Sequence, residues 1–204
     1  RVTMGPRLPV PKALFGCVVV DGKILVIGGQ KRVGDSVRCT NTTEVFDPVR
    51  NAWSAGVNMP TPRRGTATLV NWFVMFAGGY GGSKPLRIVE VYNPHDKAWR
   101  RLPDLTQSVN PGATVWAGKY LFLFGDQNQR TRQLVYDLQS KEQVPYQLAL
   151  PHSDFAAALL HRGNIYVVGG ASVRQRTTNE AIQIFQTEAQ ALAVADPAPG
   201  RDAR

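Results

Sequence analysis

An all-β fold assembled from repeated four-stranded units is what this sequence predicts, and three observations predict it. A Leu-Pro or Met-Pro pair recurs with its proline at Pro9, Pro60, Pro103 and Pro151. Further along each unit comes a glycine, at Gly29, Gly79, Gly125 and Gly170, preceded in three of the four by another glycine. Short β-like runs then close on Phe46, Tyr92, Tyr136 and Phe185. The steps between those glycines are 50, 46 and 45, the length of one blade of a β-propeller.

Each unit breaks into strands in the same order. In unit one, Ala13 to Val20 and Lys23 to Gly29 are two apolar runs joined by Asp21-Gly22, a dipeptide suited to a tight hairpin. Unit three repeats the turn with Ala117-Gly118-Lys119 and unit four with Arg162-Gly163-Asn164; unit two has Asn71-Trp72, where asparagine accepts a left-handed backbone. Second strands such as Ile24-Leu25-Val26-Ile27 and Phe73-Val74-Met75-Phe76 are apolar without alternation, the pattern of a sheet covered on both faces. Third strands, Thr43 to Phe46, Ile88 to Tyr92, Leu134 to Tyr136 and Ile182 to Phe185, mix polar and apolar positions and are expected nearer the rim. Asp47-Pro48 and Asn93-Pro94 then start turns, and Trp53 and Trp99, each seven residues past the closing aromatic, mark fourth strands; unit three has Gln143 at that offset. Residues 187–204 are rich in alanine and proline and are expected to form a disordered tail.

The diglycines Gly28-Gly29, Gly78-Gly79 and Gly169-Gly170, the runs Glu44-Val45-Phe46-Asp47-Pro48 and Glu90-Val91-Tyr92-Asn93-Pro94, and Trp53 and Trp99 in register with them resemble the kelch repeat over residues 5–186. The resemblance implies a kelch β-propeller with blades at 8–58, 59–101, 102–149 and 150–186. Unit three departs from the pattern with Phe124-Gly125. Because propellers of this kind usually close with more than four blades, the expectation is a segment of a larger ring, with residues 1–6 supplying a last strand either to a preceding blade or to unit four.

Composition narrows the function. The chain has 204 residues, 43% of them hydrophobic, enough for one domain with a core. Its 24 basic against 15 acidic residues give a net charge of +9, which favours acidic partners. Only Cys17 and Cys39 are available for redox or metal chemistry; Cys17, in the run Cys17-Val18-Val19-Val20, is expected to be a buried thiol, with a single Cys17–Cys39 bridge as the alternative. No apolar stretch reaches the roughly 20 residues of a membrane span, and the first residues lack the apolar core of a signal peptide. The expected compartment is the cytoplasm.

In a four-stranded meander, the loop after strand two and the loop entering strand one emerge on the same face. Those loops carry Lys31, Arg32, Arg38, Lys84, Arg87, Arg130, Arg132, Arg174 and Arg176, joined by Lys12, Arg63 and Arg64. Their acids are mainly Asp35, Asp104, Asp126 and Asp154, so the face is expected to be positive, and arginine's forked donors suit carboxylate. Kelch resemblance implies that such a face holds partner proteins and that arginines grip acidic motifs. By that analogy the expected partner contacts are Arg63, Arg64, Arg87, Arg130, Arg132 and Arg174, and the expected function is a non-catalytic interaction module, serving as a substrate-recognition part of a larger kelch protein. Tyr80, between Gly79 and Gly81, is either an aromatic platform there or a turn-packing residue.

Enzyme readings find less. His95, His152 and His161 fall in different kinds of turn, so no metal or other cofactor is expected. Gly78-Gly79-Tyr80-Gly81-Gly82 lacks the Gly-Lys-Ser/Thr of a phosphate loop, and no Gly-x-Ser-x-Gly elbow is present. The enzyme alternative is a sugar-acid-modifying kelch protein, mutarotase-like, with arginines at the propeller mouth. Nucleic acid ranks below protein as a partner because aromatics are not interleaved with the basic residues.

Overall fold

The computed structural model describes residues 2–126, 132–147, 154–172, 177–178 and 182–185. The chain starts with β1 (Gly16–Val20) and β2 (Lys23–Ile27), continues through a separate two-stranded hairpin, β3 (Gln30–Val33) and β4 (Ser36–Cys39), and returns as β5 (Thr43–Asp47) and β6 (Ala52–Ala55). The sheet order is β1-β2-β5-β6, an antiparallel meander. At the β1–β2 turn, Asp21 and Gly22 both have positive φ, 49° and 72°, the paired left-handed geometry that matches strand twist.

The second blade is β7 (Thr68–Val70), β8 (Phe73–Ala77), β9 (Val89–Asn93) and β10 (Ala98–Leu102), and the third is β11 (Ala113–Ala117), β12 (Tyr120–Phe124), β13 (Arg132–Asp137) and β14 (Gln143–Gln147). In the fourth, β15 (Asp154–His161) pairs with β16 (Asn164–Ser172), which pairs in turn with β17 (Thr177–Thr178) and β18 (Ile182–Phe185). First strands of successive blades are neighbours, β1 by β7, β7 by β11 and β11 by β15, so the blades fan out from their inner strands as in a propeller. Among the described residues every regular element is a strand.

The core lies between blades, which explains the unbroken apolar second strands. Leu25 and Ile27 face Val74 and Phe76 across the first seam. Met75 and Ala77, alternating with them, face Leu121 and Leu123 across the second, and Phe122 and Phe124 face Ile165 and Val167 across the third. The second strands of the two inner blades, β8 and β12, thus bury both of their faces. The two end faces of the arc lack such cover: Val19 of the first blade is 58% exposed, and Ile182 of the fourth 59%. The molecule is a partial propeller.

The paired glycines stitch one blade to the next. The Gly28 N–H donates to Thr42 O within its blade, while the Gly29 N–H reaches Arg63 O of the next; Gly78 and Gly79 repeat this with Ile88 O and Val109 O. Both members have positive φ, 64° and 96° in the first blade and 72° and 101° in the second. Backbone geometry also corrects the register of unit three. Gly125, at φ 72° and directly after β12, matches the first glycine of each pair, so Asp126 stands in the second position and the motif there is Gly125-Asp126. Asp126 is not at positive φ; its buried Oδ2 accepts from the Asn110 N–H at 3.2 Å.

One further expectation fails. Cys17 is exposed, because β1 alternates and Cys17 and Val19 fall on the side away from the second blade. Neither cysteine is bridged. The third strands lie outside the second strands, as expected, although two of their acids are buried: Glu44 and Glu90 are 4% and 2% exposed.

The tryptophans bind the blade to the linker before it. Trp53 lies against Phe46 with centroids 5.0 Å apart and donates from Nε1 to Pro6 O; Trp99 lies against Tyr92 at 5.2 Å and donates to Val57 O. Pro6 therefore meets the first blade as Val57, the exit of the first blade, meets the second. Gln143 serves the same purpose in the third blade, its Oε1 accepting from the Thr106 N–H at 3.0 Å. Residues 187–204, read as a tail, lie outside the described residues.

Candidate interaction face

Loops after second strands and loops entering first strands meet on one face, as the meander requires. Ala13 exchanges both backbone hydrogen bonds with Gln30 at the base of the β3–β4 hairpin, and Arg64 does the same with Tyr80. The Arg64 guanidinium lies over the Tyr80 ring, 4.6 Å from its centroid, a geometry favourable to a cation. Tyr80 thus packs the turn through its backbone, and its ring is engaged by Arg64. Arg87 is exposed and anchored, its Nε donating to Leu105 O at 2.6 Å. Lys84 is exposed nearby, and the hairpin carries Lys31, Arg32 and Arg38.

Two cations expected on this face are not on it. Arg63 has no exposed side-chain surface and pairs with Glu90 through Nη2 at 2.6 Å, while its Nη1 donates to Ile88 O. Burial pushes its pKa down to about 10, against the Glu90 charge, which raises it; the group stays charged at neutral pH. Arg63 is thus a core residue rather than a partner contact. The Lys12 side chain is likewise enclosed, its ammonium 2.5 Å from Glu44 and bonded to Thr42 O. Burial lowers its pKa, and the Glu44 hydrogen bond and charge oppose that. The cause is positional. Both residues directly precede the turn into a first strand, where the chain crosses over the preceding end of its own third strand.

Of the other expected contacts, Arg132 opens β13, its backbone paired with Gln147, and Arg130 and Arg174, together with Arg176, lie outside the described residues. Among the described residues, the structure brings Arg64 and Arg87 to the face with Lys31, Arg32, Arg38 and Lys84. None of these six meets a carboxylate, whereas toward the opposite face Lys23 and Arg50 meet Asp47, Arg100 meets Asp96 and Lys119 meets Asp137. Asp104 is taken by Arg101, and Asp126 is buried. Among the described residues the loop face therefore gathers six basic side chains without an ion pair, whereas the opposite face mixes paired cations with the unpaired Lys97, Lys141 and Arg162.

Sequence reasoning missed the β3–β4 hairpin, which sets Lys31 directly opposite Arg38. A signal was present: Gly34-Asp35 sits between two short runs and forms the two-residue turn, with Gly34 at φ 59°. Among the described residues no group of three or more His, Cys, Asp or Glu is placed to hold a metal ion, and no helix is long and apolar enough to cross a membrane.

Residues 11–60 and 77–106 match the family model of the Kelch motif. The chain is 36% identical over 97 residues to an F-box/kelch-repeat protein of Arabidopsis thaliana, covering 44% of this chain and 20% of that protein. It is 28% identical over 189 residues to Kelch-like protein 40 of Xenopus tropicalis, covering 90% and 30%. The chain thus spans less than a third of the length of these relatives. Among solved structures, that of YjhT superimposes with a TM-score of 0.68 at 13% identity, over 78% of this chain and 59% of that one. The first two blades of this propeller arc carry that motif and the later blades repeat its backbone, so the chain contains kelch repeats.

Proposed function

We propose that this arc is a non-catalytic protein-interaction module that recognises acidic segments through its loop face. Kelch-repeat relatives support the general part, interaction. One observation carries the specific part: six basic side chains, Lys31, Arg32, Arg38, Arg64, Lys84 and Arg87, converge on one face without a carboxylate partner among the described residues. A cluster of like charge left uncompensated raises the local potential and speeds encounter with an anionic partner. Arg64, held over Tyr80, and Arg87, held to Leu105, are ordered before a partner arrives, which lowers the entropic cost of engaging one. In a larger kelch protein this face would serve as the substrate-recognition surface, in the cytoplasm.

The test is affinity capture from cell extract with the chain and with a variant carrying Arg32→Glu, Arg38→Glu, Arg64→Glu and Arg87→Glu. The expected result is a set of proteins with acidic segments, lost in the variant and at raised salt while its unfolding temperature is retained. Capture that survives the reversal would overturn the proposed face. Acceleration of sugar-acid anomer exchange by the chain would favour an enzyme instead.

A further inference from the structure

The hairpin of the first blade is longer than its counterpart in the second, where Tyr80 pairs directly with Pro85, and its outer edge is unused. Hydrogen bonding around the hairpin fixes which peptide groups point outward. Gln30 spends its N–H and C=O on Ala13, and the Thr40 N–H donates to Gly29 O. Gln30 and Cys39 are therefore a non-hydrogen-bonded pair, and by the alternation of an antiparallel ladder Lys31–Arg38 is a bonded pair and Arg32–Val37 a non-bonded one. It follows that the N–H and C=O of Val37 and of Cys39 point away from β3. No hydrogen bond from the described residues reaches those four groups, and Val37 is 62% exposed.

We propose that this edge of β4 captures an extended acidic segment of a partner by strand addition, which rests on the acidic-segment reading above and specifies how the segment is held. Val37 and Cys39 offer two donors and two acceptors spaced for one added strand. Charge selects the strand. Lys31 and Arg38 are cross-strand neighbours on one side of the hairpin and Arg32 projects from the other; like charges directly opposite cost stability, and an incoming carboxylate beside Arg38 relieves that cost. Asp35 at the tip is the hairpin's one acid. Charged residues on an edge commonly block pairing. Here those on the two strands, Lys31, Arg32 and Arg38, are of a single sign, so they repel a second copy of this hairpin and admit an acidic strand. The exposed Val37, on the face opposite Arg38, gives the alternate side chains of such a strand an apolar neighbour.

The experiment titrates the full chain with a fluorescent peptide of alternating glutamate and threonine. A second peptide of the same sequence is N-methylated at alternate amides, which keeps the charge and removes the strand donors. Two protein variants accompany them: Lys31→Glu with Arg38→Glu, and Val37→Pro, which deletes an outward N–H that β3 does not use. Strand addition predicts that the plain peptide binds and that N-methylation, Val37→Pro and the charge reversal each weaken it by about tenfold or more. Binding that falls with the reversal but is indifferent to N-methylation and to Val37→Pro would overturn strand addition and leave the acidic-segment reading standing. Absence of binding, or binding indifferent to the reversal, would overturn both. The N-methylated peptide decides the matter even where Val37→Pro fails to fold.

Discussion

Arg63 donates from Nη2 to Glu90 Oε2 at 2.6 Å with both side chains out of water, and its neighbours in the repeat show what that pair replaces. In the first blade the same two positions hold Lys12 and Glu44. In the third they hold Val109 and Leu134, which are 1% and 0% exposed and belong to one core cluster. The equivalence is set by the backbone, since Arg63 O and Val109 O accept from Gly29 and Gly79 in turn, and Glu44, Glu90 and Leu134 pair with Val26, Phe76 and Leu123. One molecule thus contains both an ionic and an apolar solution to the same packing site.

Breaking the pair and replacing it should therefore differ sharply. Glu90→Ala leaves the Arg63 charge buried without its counter-ion and is expected to destabilise by about 3–5 kcal/mol. Arg63→Val combined with Glu90→Leu copies the third blade and should recover most of that loss, less the cost of the Thr61 hydroxyl that now donates to Glu90 at 2.7 Å. Denaturant titration of the three proteins checks this. A double variant no more stable than Glu90→Ala would contradict it.

Gly79→Val should destabilise by about 3 kcal/mol. Gly79 sits at φ 101°, where side chains are strained, and an added Cβ lies 2.6 Å from Arg64 O. Thermal unfolding makes the comparison, and the expected drop in midpoint is absent if the next blade yields without cost.

Trp99→Phe separates the indole's two contributions. The ring contact with Tyr92 is kept and the Nε1 hydrogen bond to Val57 O is lost, so the expected cost is about 1 kcal/mol. Trp99→Ala, which loses both, should cost several times more in the same denaturant series.

Asp47 gives a pH signature. The backbone N–H groups of Arg50 and Val49, with the charges of Lys23 and Arg50, hold its carboxyl below the ordinary value. A carboxylate whose folded pKa is depressed contributes stability above its unfolded pKa of about 4, and that contribution disappears as pH falls through the folded value. Asn93 makes the equivalent turn in the second blade without charge, accepting from the His95 N–H at 3.0 Å. Asp47→Asn should keep the fold and show a shallower loss of stability on acidification. Denaturation midpoints measured from neutral to acid pH provide the check, and an unchanged slope would count against it.

Much of the architecture was legible because backbone demands recur. The diglycine needs two positive φ values, and second strands caught between blades must be apolar on both sides, so the sequence repeats them. The site was less legible. Lys12 and Arg63 look like loop cations because they precede first strands, and what buries them is a glutamate on a third strand far along the chain. A clue existed in the recurrence, a cation before strand one and a glutamate two residues before the closing aromatic, in the first two units only. Unit three was misregistered by one residue because aspartate occupies the second glycine's place, leaving Gly125 as the visible marker. Cys17 was misread because an apolar run does not say which face of β1 has a neighbour.

The most direct measurement is the affinity of a glutamate-rich peptide for the chain at low and raised ionic strength, compared between two reversals. One carries Arg64→Glu and Arg87→Glu on the loop face, and the other Lys97→Glu and Arg162→Glu in turns of the opposite face. A charge-read loop face predicts binding that weakens with salt and is lost in the first variant while persisting in the second. Equal loss in both would reduce the attraction to net charge, and binding unmoved by either would contradict the account.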